Sequence, residues 1–430
     1  MKNIFEKILL VFVIAVLFVP IIQSGLHIFP EEKKLDGEYS TVKKPGFSVF
    51  NFLDRTYQDS FDIYINRNFD CRAFYIREHN NLNYRLFRYT TSPGVVIGKK
   101  DYLFIESYIN EYIGQNFQGY AVIHTNALSI KTTQDSLKKY NVDLLVIFAP
   151  GKASFDSEYI PTNYLVKKKD STNYKLYCSE LKKLHVNFID LNAYFLDLKN
   201  RSKYTLYSKY GTHWSYYGMG IAMDTIIKYI QHIRHIDMPD FSFNNVEMKT
   251  DLIGPDYDVG ELLNIRTILP HDPMPYPNYS YRNDQTKQKP SVLAIGDSYW
   301  RTLIYAGMSA NLFKQDLFWD YFKNEYIDNK KQETPLSQLN LKEKILQQDV
   351  VIIEATEANF QQFPFGFTDK LNISFGCAPL VSGIERWKQA IRNDKQWLEH
   401  IKQKALENKI SLDSMLYINA KYMLEQEGKK

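Results

Sequence analysis

The chain has 430 residues and a mass of 50.6 kDa, room for one large α/β domain with appendages or for two domains. Hydrophobic residues make up 44%, ample for a packed core, and charged residues 24%. A formal net charge of +4, with basic and acidic residues interleaved, leaves no phosphate-tracking stripe and excludes nucleic acid as the expected partner.

The first element is apolar. Lys2 and Lys7 precede an unbroken run from Ile8 to Ile22, which as a helix reaches roughly 22 Å, and extension over Gln23 to Phe29 fits it to a bilayer core of ~30 Å. No small-x-small cleavage site stands near Ser24, and bulky Leu26, Ile28 and Phe29 follow. The expectation is an uncleaved signal anchor over residues 1–29, basic end in the cytoplasm and the bulk of the chain extracytoplasmic. Residues 30–90 read as a tether with lead-in helices: Glu31 to Pro45 is charged and irregular, then Phe50, Phe52, Leu53, Tyr57, Phe61 and Ile65 recur at helical spacing, and a second such segment runs from Phe74 to Phe87.

Val95 to Ile105 reads as a hairpin turning at Gly98 to Asp101. Strand-like runs follow at Val142 to Ala149, Val186 to Ile189, Val292 to Ile295 and Val350 to Ile353. Helical patterns separate them, as at Tyr174 to Leu184 and Leu339 to Leu346. This alternation predicts an α/β domain over residues 91–378, a mostly parallel sheet with helices on both faces. Asp240 to Gln288, rich in Asn, Asp, Pro and Tyr, reads as a long loop or insertion. Residues 379–430 carry Ile384, Trp387, Ile391, Trp397, Leu398 and Ile401 on roughly one face, and Leu412 to Leu424 suggests a further helix, giving a C-terminal helical segment. Cys71, Cys178 and Cys377 are far apart and match neither a zinc site nor a disulfide framework, so no metal or cofactor is expected.

Two motifs carry chemistry. Ser291 to Ile295 runs straight into Gly296-Asp297-Ser298, with a helical pattern after it, as in a nucleophile elbow. A serine on such a turn stands clear of the sheet, and the backbone N–H groups of Ser298 and Tyr299 are candidates for an oxyanion hole. The bland alternative is an ordinary Gly-Asp-Ser turn. Upstream, Lys209-Tyr-Gly-Thr-His213-Trp-Ser reads as a loop entering a helix, and His213 there can take a serine proton and return it. Its bland alternative is a loop histidine packed on Trp214. Pro150-Gly-Lys152 ends another strand; Lys152 is either a contact for an anionic glycan or acyl carbonyl, or an ordinary surface lysine.

With both motifs in place, the chain resembles the SGNH-hydrolase-like domain of the alginate O-acetyltransferase family. Val95 to Phe104 is similar to its opening strand pair, Leu144 to Ser154 to its strand ending in proline and lysine, and Val351 to Glu354 to a late strand. Gly211-Thr-His-Trp-Ser215 stands where the family has Asp-x-His-Trp, and Gly296-Asp-Ser-Tyr-Trp300 matches the serine block. The resemblance implies acetyl transfer to a polysaccharide outside the cytoplasmic membrane through a Ser298 acyl-enzyme, the acyl group coming from a polytopic membrane acyltransferase. One position departs: Gly211 occupies the family's aspartate site. Asp190, Asp256, Asp258 or Glu354 then supplies the orienting carboxylate, a backbone carbonyl orients His213 in a dyad, or the site is inactive. Asp297 is read as shaping the turn. The alternatives to the transferase are a carbohydrate esterase or deacetylase and a catalytically silent glycan-binding scaffold subunit.

Overall fold

The computed structural model describes residues 2–30, 32–37, 42–377, 383–408 and 410–427. The expected boundary at 378/379 lies outside the described residues. The chain divides into two compact units, Met1–Ile97 with Tyr257–His271, and Gly98–Asp256 with Asp272–Lys430.

The second unit is built on a seven-stranded sheet. Its spatial order is Lys330–Lys331, Asn324–Ile327, Leu317–Asp320, Val292–Gly296, Val350–Ala355, Asp143–Phe148 and Phe188–Asp190. The last five are mutually parallel; Asn324–Ile327 runs antiparallel to Leu317–Asp320 and turns back into Lys330–Lys331. Leu144, Val146, Phe148, Leu293, Ile295, Val351 and Ile353 join one core with the helices Tyr120–Lys138 and Asn173–Lys183. The alternating residues Leu145, Ile147, Ala294 and Ile352 are buried equally well, so both faces are covered. Continuous apolar runs in the sequence are what this two-sided burial requires. The four anticipated strands are present within one or two residues, the second beginning at Phe188 rather than Val186.

Asp240 to Gln288 departs from the expected loop. It holds two long strands, Asp240–Lys249 and Met274–Arg282, paired antiparallel with an irregularity between Asn244 and Glu247. Phe241, Phe243, Tyr279 and Tyr281 alternate along the ribbon, and their rings meet one another. Phe243 packs on Gly220 of the helix Tyr216–Arg234, where a Cβ would lie 2.7 Å from the ring. Period-two aromatics were the strand signal, masked by the Asn and Pro around them.

The C-terminal segment forms three helices rather than a pair: Gly383–Asn393, Lys395–Glu407 and Leu412–Glu427. Asp394 divides the first two by accepting from Trp397 N at 3.0 Å.

In the first unit, α1 spans Lys2–Leu26, and Ile4–Leu26 has a mean hydropathy of 2.6; among the described residues it is one helix long and apolar enough to cross a membrane. The lead-in region forms α2 (Val49–Leu53), α3 (Thr56–Asn68) and α4 (Arg72–Phe87). Residues 257–271 join this unit through specific bonds. Asn80 Nδ2 donates to Leu263 O at 2.9 Å, Asp36 N donates to Asn264 Oδ1 at 2.8 Å, and Arg266 pairs with Glu32 at 2.8 Å.

Candidate active site

The Val292–Gly296 strand is buried throughout and ends on a glycine for a steric reason. A Cβ at Gly296 would lie 2.5 Å from Glu354 Oε2 on the neighbouring strand. Asp297 then caps the helix Ser298–Tyr305. Its carboxylate accepts from Tyr299 N (2.9 Å), Thr356 N (2.8 Å), Thr356 Oγ1 (2.8 Å) and Asn359 Nδ2 (2.6 Å). Four donors on one buried carboxylate fix the turn, and Ser298 emerges half-buried as the first helical residue. Asp297 therefore shapes the turn, as the sequence suggests. Glu354 lies beneath it, accepting from Asp297 N at 3.1 Å. Burial, reinforced by the Asp297 charge, pushes the Glu354 carboxyl well above the usual range.

His213 reaches the serine from a separate loop. Its Nε2 lies 2.9 Å from Ser298 Oγ, hydrogen-bond distance for a histidine and a serine 85 residues apart in sequence. The loop is braced on both sides of the imidazole. On one side, Tyr299 OH donates to Thr212 O at 2.5 Å; on the other, Trp214 Nε1 donates to Thr302 Oγ1 at 2.8 Å. Tyr299 and Trp214 are fully buried, and their rings meet at 5.0 Å. Ser215 caps the following helix by accepting from Gly218 N at 3.1 Å. Trp214 thus serves as a brace, and the histidine stands over the tyrosine ring at 4.7 Å.

The four candidate acids are placed very differently. Asp190 caps the helix Leu191–Leu198, accepting from Ala193 N and Tyr174 OH, both at 2.9 Å. Its strand lies three places from Val292–Gly296, about 14 Å across the sheet, so it is not at the serine. Glu354 is committed beneath the elbow. Asp258 opens the short helix Asp258–Leu262 of the first unit. Asp256 is fully buried in the turn Gly254–Asp256, directly against Gly211. A Cβ at Gly211 would lie 2.1 Å from Pro255 O and 3.1 Å from Asp256 Cα. The glycine is thus required here: the 255–256 backbone fills the space that an aspartate side chain at 211 would occupy. Ser208 Oγ ties that turn down by donating to Asp256 O.

Two expected substrate contacts are corrected. The N–H of Tyr299 is taken by Asp297, so it is not free to meet an oxyanion. Lys152 is neither a glycan contact nor a surface lysine. It is fully buried, pairs with Asp156 at 2.7 Å and donates to Ser208 O, with its ammonium over the Tyr102 and Tyr207 rings. Tyr207 OH in turn lies within hydrogen-bond distance of Pro150 O and, at 2.9 Å, of Tyr299 OH. The strand-end lysine thus pins the loop that carries His213.

One residue at the serine was not anticipated. Tyr321 follows the unpredicted strand Leu317–Asp320, whose Asp320 is in register with Gly296, and Tyr321 N donates to Gly296 O at 2.9 Å. Its backbone thereby closes on the end of the strand that leads into Ser298. Burial, with the charges of Asp297 and Glu354, drives its phenol above the ordinary range and keeps it protonated. Tyr321 and Phe322 both hold left-handed backbones, φ 48° and 54°. Such strain costs of order 1–3 kcal/mol per residue and concentrates at functional sites. The sequence signal was the aromatic run Leu317-Phe-Trp319 ahead of Asp320-Tyr321.

A serine on a strand-to-helix turn of a parallel sheet, met by a histidine from another loop, is an arrangement that an SGNH hydrolase-like domain uses. The family model described as "SGNH hydrolase-like domain, acetyltransferase AlgX" matches residues 95–310, half of the chain, and the chain belongs to this family. Among solved structures, the O-acetyltransferase domain of Pseudomonas putida AlgJ is similar at 16% identity and TM-score 0.41, covering 66% of this chain and 99% of that one. Pseudomonas aeruginosa AlgX follows at 13% identity and TM-score 0.41, covering 64% and 67%. Bacillus cereus PatB1 with a sulfonyl adduct stands at 13% identity and TM-score 0.36, covering 56% and 91%. No curated protein gives a significant match.

Proposed function

We propose that the protein is a membrane-anchored, extracytoplasmic O-acetyltransferase that moves an acetyl group through Ser298 onto a hydroxyl of an exported or surface polysaccharide. The observation that carries this reading is the 2.9 Å approach of His213 Nε2 to Ser298 Oγ at the carboxyl end of the sheet. The AlgX and AlgJ relatives, acetyltransferases by name, support the acyl group; α1 supports the anchor.

In the first half-reaction Ser298 Oγ bonds to the acetyl carbonyl carbon as its proton passes to His213 Nε2. The carbonyl electron pair moves onto oxygen. Collapse expels the donor's oxygen, which takes the proton from the imidazole and leaves acetyl-Ser298. In the second half a sugar hydroxyl gives its proton to Nε2 and attacks the ester, and Ser298 departs reprotonated. Asp256, whose backbone passes against Gly211, is the acid we assign to orient the imidazole in place of the family's aspartate. Ser298 N–H and the Tyr321 hydroxyl serve the oxyanion; one such donor is worth about 3 kcal/mol. The acetyl donor is a polytopic membrane acyltransferase, as the family resemblance implies.

Ser298→Ala tests the reading. Glycan acetylation in the native producer disappears, and a serine-directed sulfonyl or fluorophosphonate reagent no longer labels the chain. Unchanged acetylation in that variant would sink the proposal. Ester turnover that is indifferent to added oligosaccharide would recast the protein as an esterase, and absence of labelling in the wild type as a silent scaffold.

A further inference from the structure

The first unit contains a segment that no core accounts for. Neither α2 nor α3 has a single buried residue. Phe47, Val49, Phe50 and Leu53 are 65%, 67%, 76% and 76% exposed, and Ile63 is 53% exposed. The segment is nevertheless locally ordered. Ser48 Oγ accepts from Asn51 N at 3.1 Å, and Asp54 Oδ1 accepts from Thr56 N at 3.0 Å and Thr56 Oγ1 at 2.7 Å. Five rings, Phe47, Phe52, Tyr57, Phe61 and Tyr64, form a continuous ladder with centroids 5.2 to 6.2 Å apart.

Helices of 5 and 13 residues are marginal in water without a surface to pack on. Leaving each of these large apolar side chains in water forgoes the stabilisation that burial would give. An apolar phase is therefore missing from the surroundings of this hairpin. The same unit contains α1, and the exit of the chain from α1 is built tightly. Gln23, only 5% exposed, donates from Nε2 to Phe29 O and accepts at Oε1 from Phe29 N, each at 2.8 Å. The hook closes just where the apolar stretch ends, and the hairpin begins 18 residues later, at Phe47. Lys43, Lys44 and Arg55, all exposed, flank its most apolar part. Aromatic and aliphatic side chains bordered by basic ones are the composition of elements that lie in a bilayer interface. Asp54, Asp59 and Asp62 balance those three cations, so apolar burial rather than charge supplies the driving force.

We propose that the hairpin from Phe47 to Ile65 lies in the outer-leaflet interface of the bilayer that α1 crosses, with Phe50 and Leu53 at the boundary between headgroups and acyl chains. The occupant of this surface is lipid, and a zwitterionic bilayer suffices. This inference rests on the anchor reading given above.

The test uses the full-length chain in phosphatidylcholine nanodiscs, with and without brominated acyl chains. The native tryptophans all lie at or beyond Trp214, so Phe50→Trp adds a local reporter, and Leu53→Trp repeats it at a second exposed position. Val166→Trp, at a site 76% exposed in the second unit, is the reference. Bromolipid removes about half or more of the added emission at positions 50 and 53 and leaves that at 166 intact. Quenching at 50 and 53 no greater than at 166 overturns the proposal. So does an added emission that is blue-shifted but unquenched, which assigns the surface to a protein. Alkaline carbonate extraction of wild-type membranes separates the two readings. Release of the protein defeats the anchor itself, whereas retention with an unquenched reporter defeats only the hairpin placement.

Discussion

The elbow around Ser298 and the α2–α3 hairpin are opposite solutions to holding a short segment still. At the elbow, side-chain and backbone groups determine one another. Asp297 answers four donors, and Gly296 and Gly211 exist because neighbouring strands and turns leave no room for a Cβ. The hairpin has caps and stacked rings but no burial. The first region is specified from within the protein; the second requires a surface the protein does not supply. Substitutions should therefore be expensive in one and nearly silent in the other when measured on the protein alone.

The sharpest way to break this contrast is Asp256→Asn. Loss of an orienting carboxylate costs about 10⁴-fold in the best-studied serine enzymes, so acetyl transfer falls by roughly 10³ to 10⁴ while the thermal midpoint stays near wild type. Activity within a factor of about ten of wild type would instead identify a histidine that needs no carboxylate. Tyr321→Phe comes next. It removes one of the two oxyanion donors proposed above and lowers kcat by about 10²-fold with little change in KM, read in both acylation and deacylation.

Glu357 sharpens the contrast through pH. It is fully buried, accepts from Ser154 Oγ at 2.7 Å, and burial raises its carboxyl from 4.5 to about 7. A raised folded-state value means the native protein holds the proton longer. Its contribution to stability is complete below pH 4.5 and is lost as pH climbs through about 7. Glu357→Gln therefore gains stability relative to wild type at pH 8 but not at pH 4, by at most on the order of 3 kcal/mol, measured by denaturant titration at both values. The smallest effect belongs to the other region. Phe50→Ser, in detergent, shifts unfolding by no more than about 0.5 kcal/mol, because that side chain is 76% exposed.

Much of the sheet was legible because its parallel strands are buried on both faces and announce themselves as unbroken apolar runs. Ser298 and His213 were legible for a related reason: each sits where such a run or a helix begins or ends. Leu317–Asp320 was missed, a four-residue strand without β-branched residues, and with it went Tyr321. The Asp240–Lys249 and Met274–Arg282 ribbon was missed because its polar residues outnumber its aromatic signal. The fate of Lys152 was beyond sequence reading altogether. Nothing local shows that a lysine after Pro-Gly turns inward to Asp156 and the carbonyl of Ser208. Asp256 stood among four candidates, and only the close pass of its backbone at Gly211 singles it out.

The two bonds from Tyr299 to Thr212 and from Trp214 to Thr302 straddle the imidazole and also bridge the first turn of the nucleophile's helix. Loop and helix are thereby riveted at two points on either side of the reacting pair. Thermal breathing then carries imidazole and hydroxyl together, and the proton's path keeps its length.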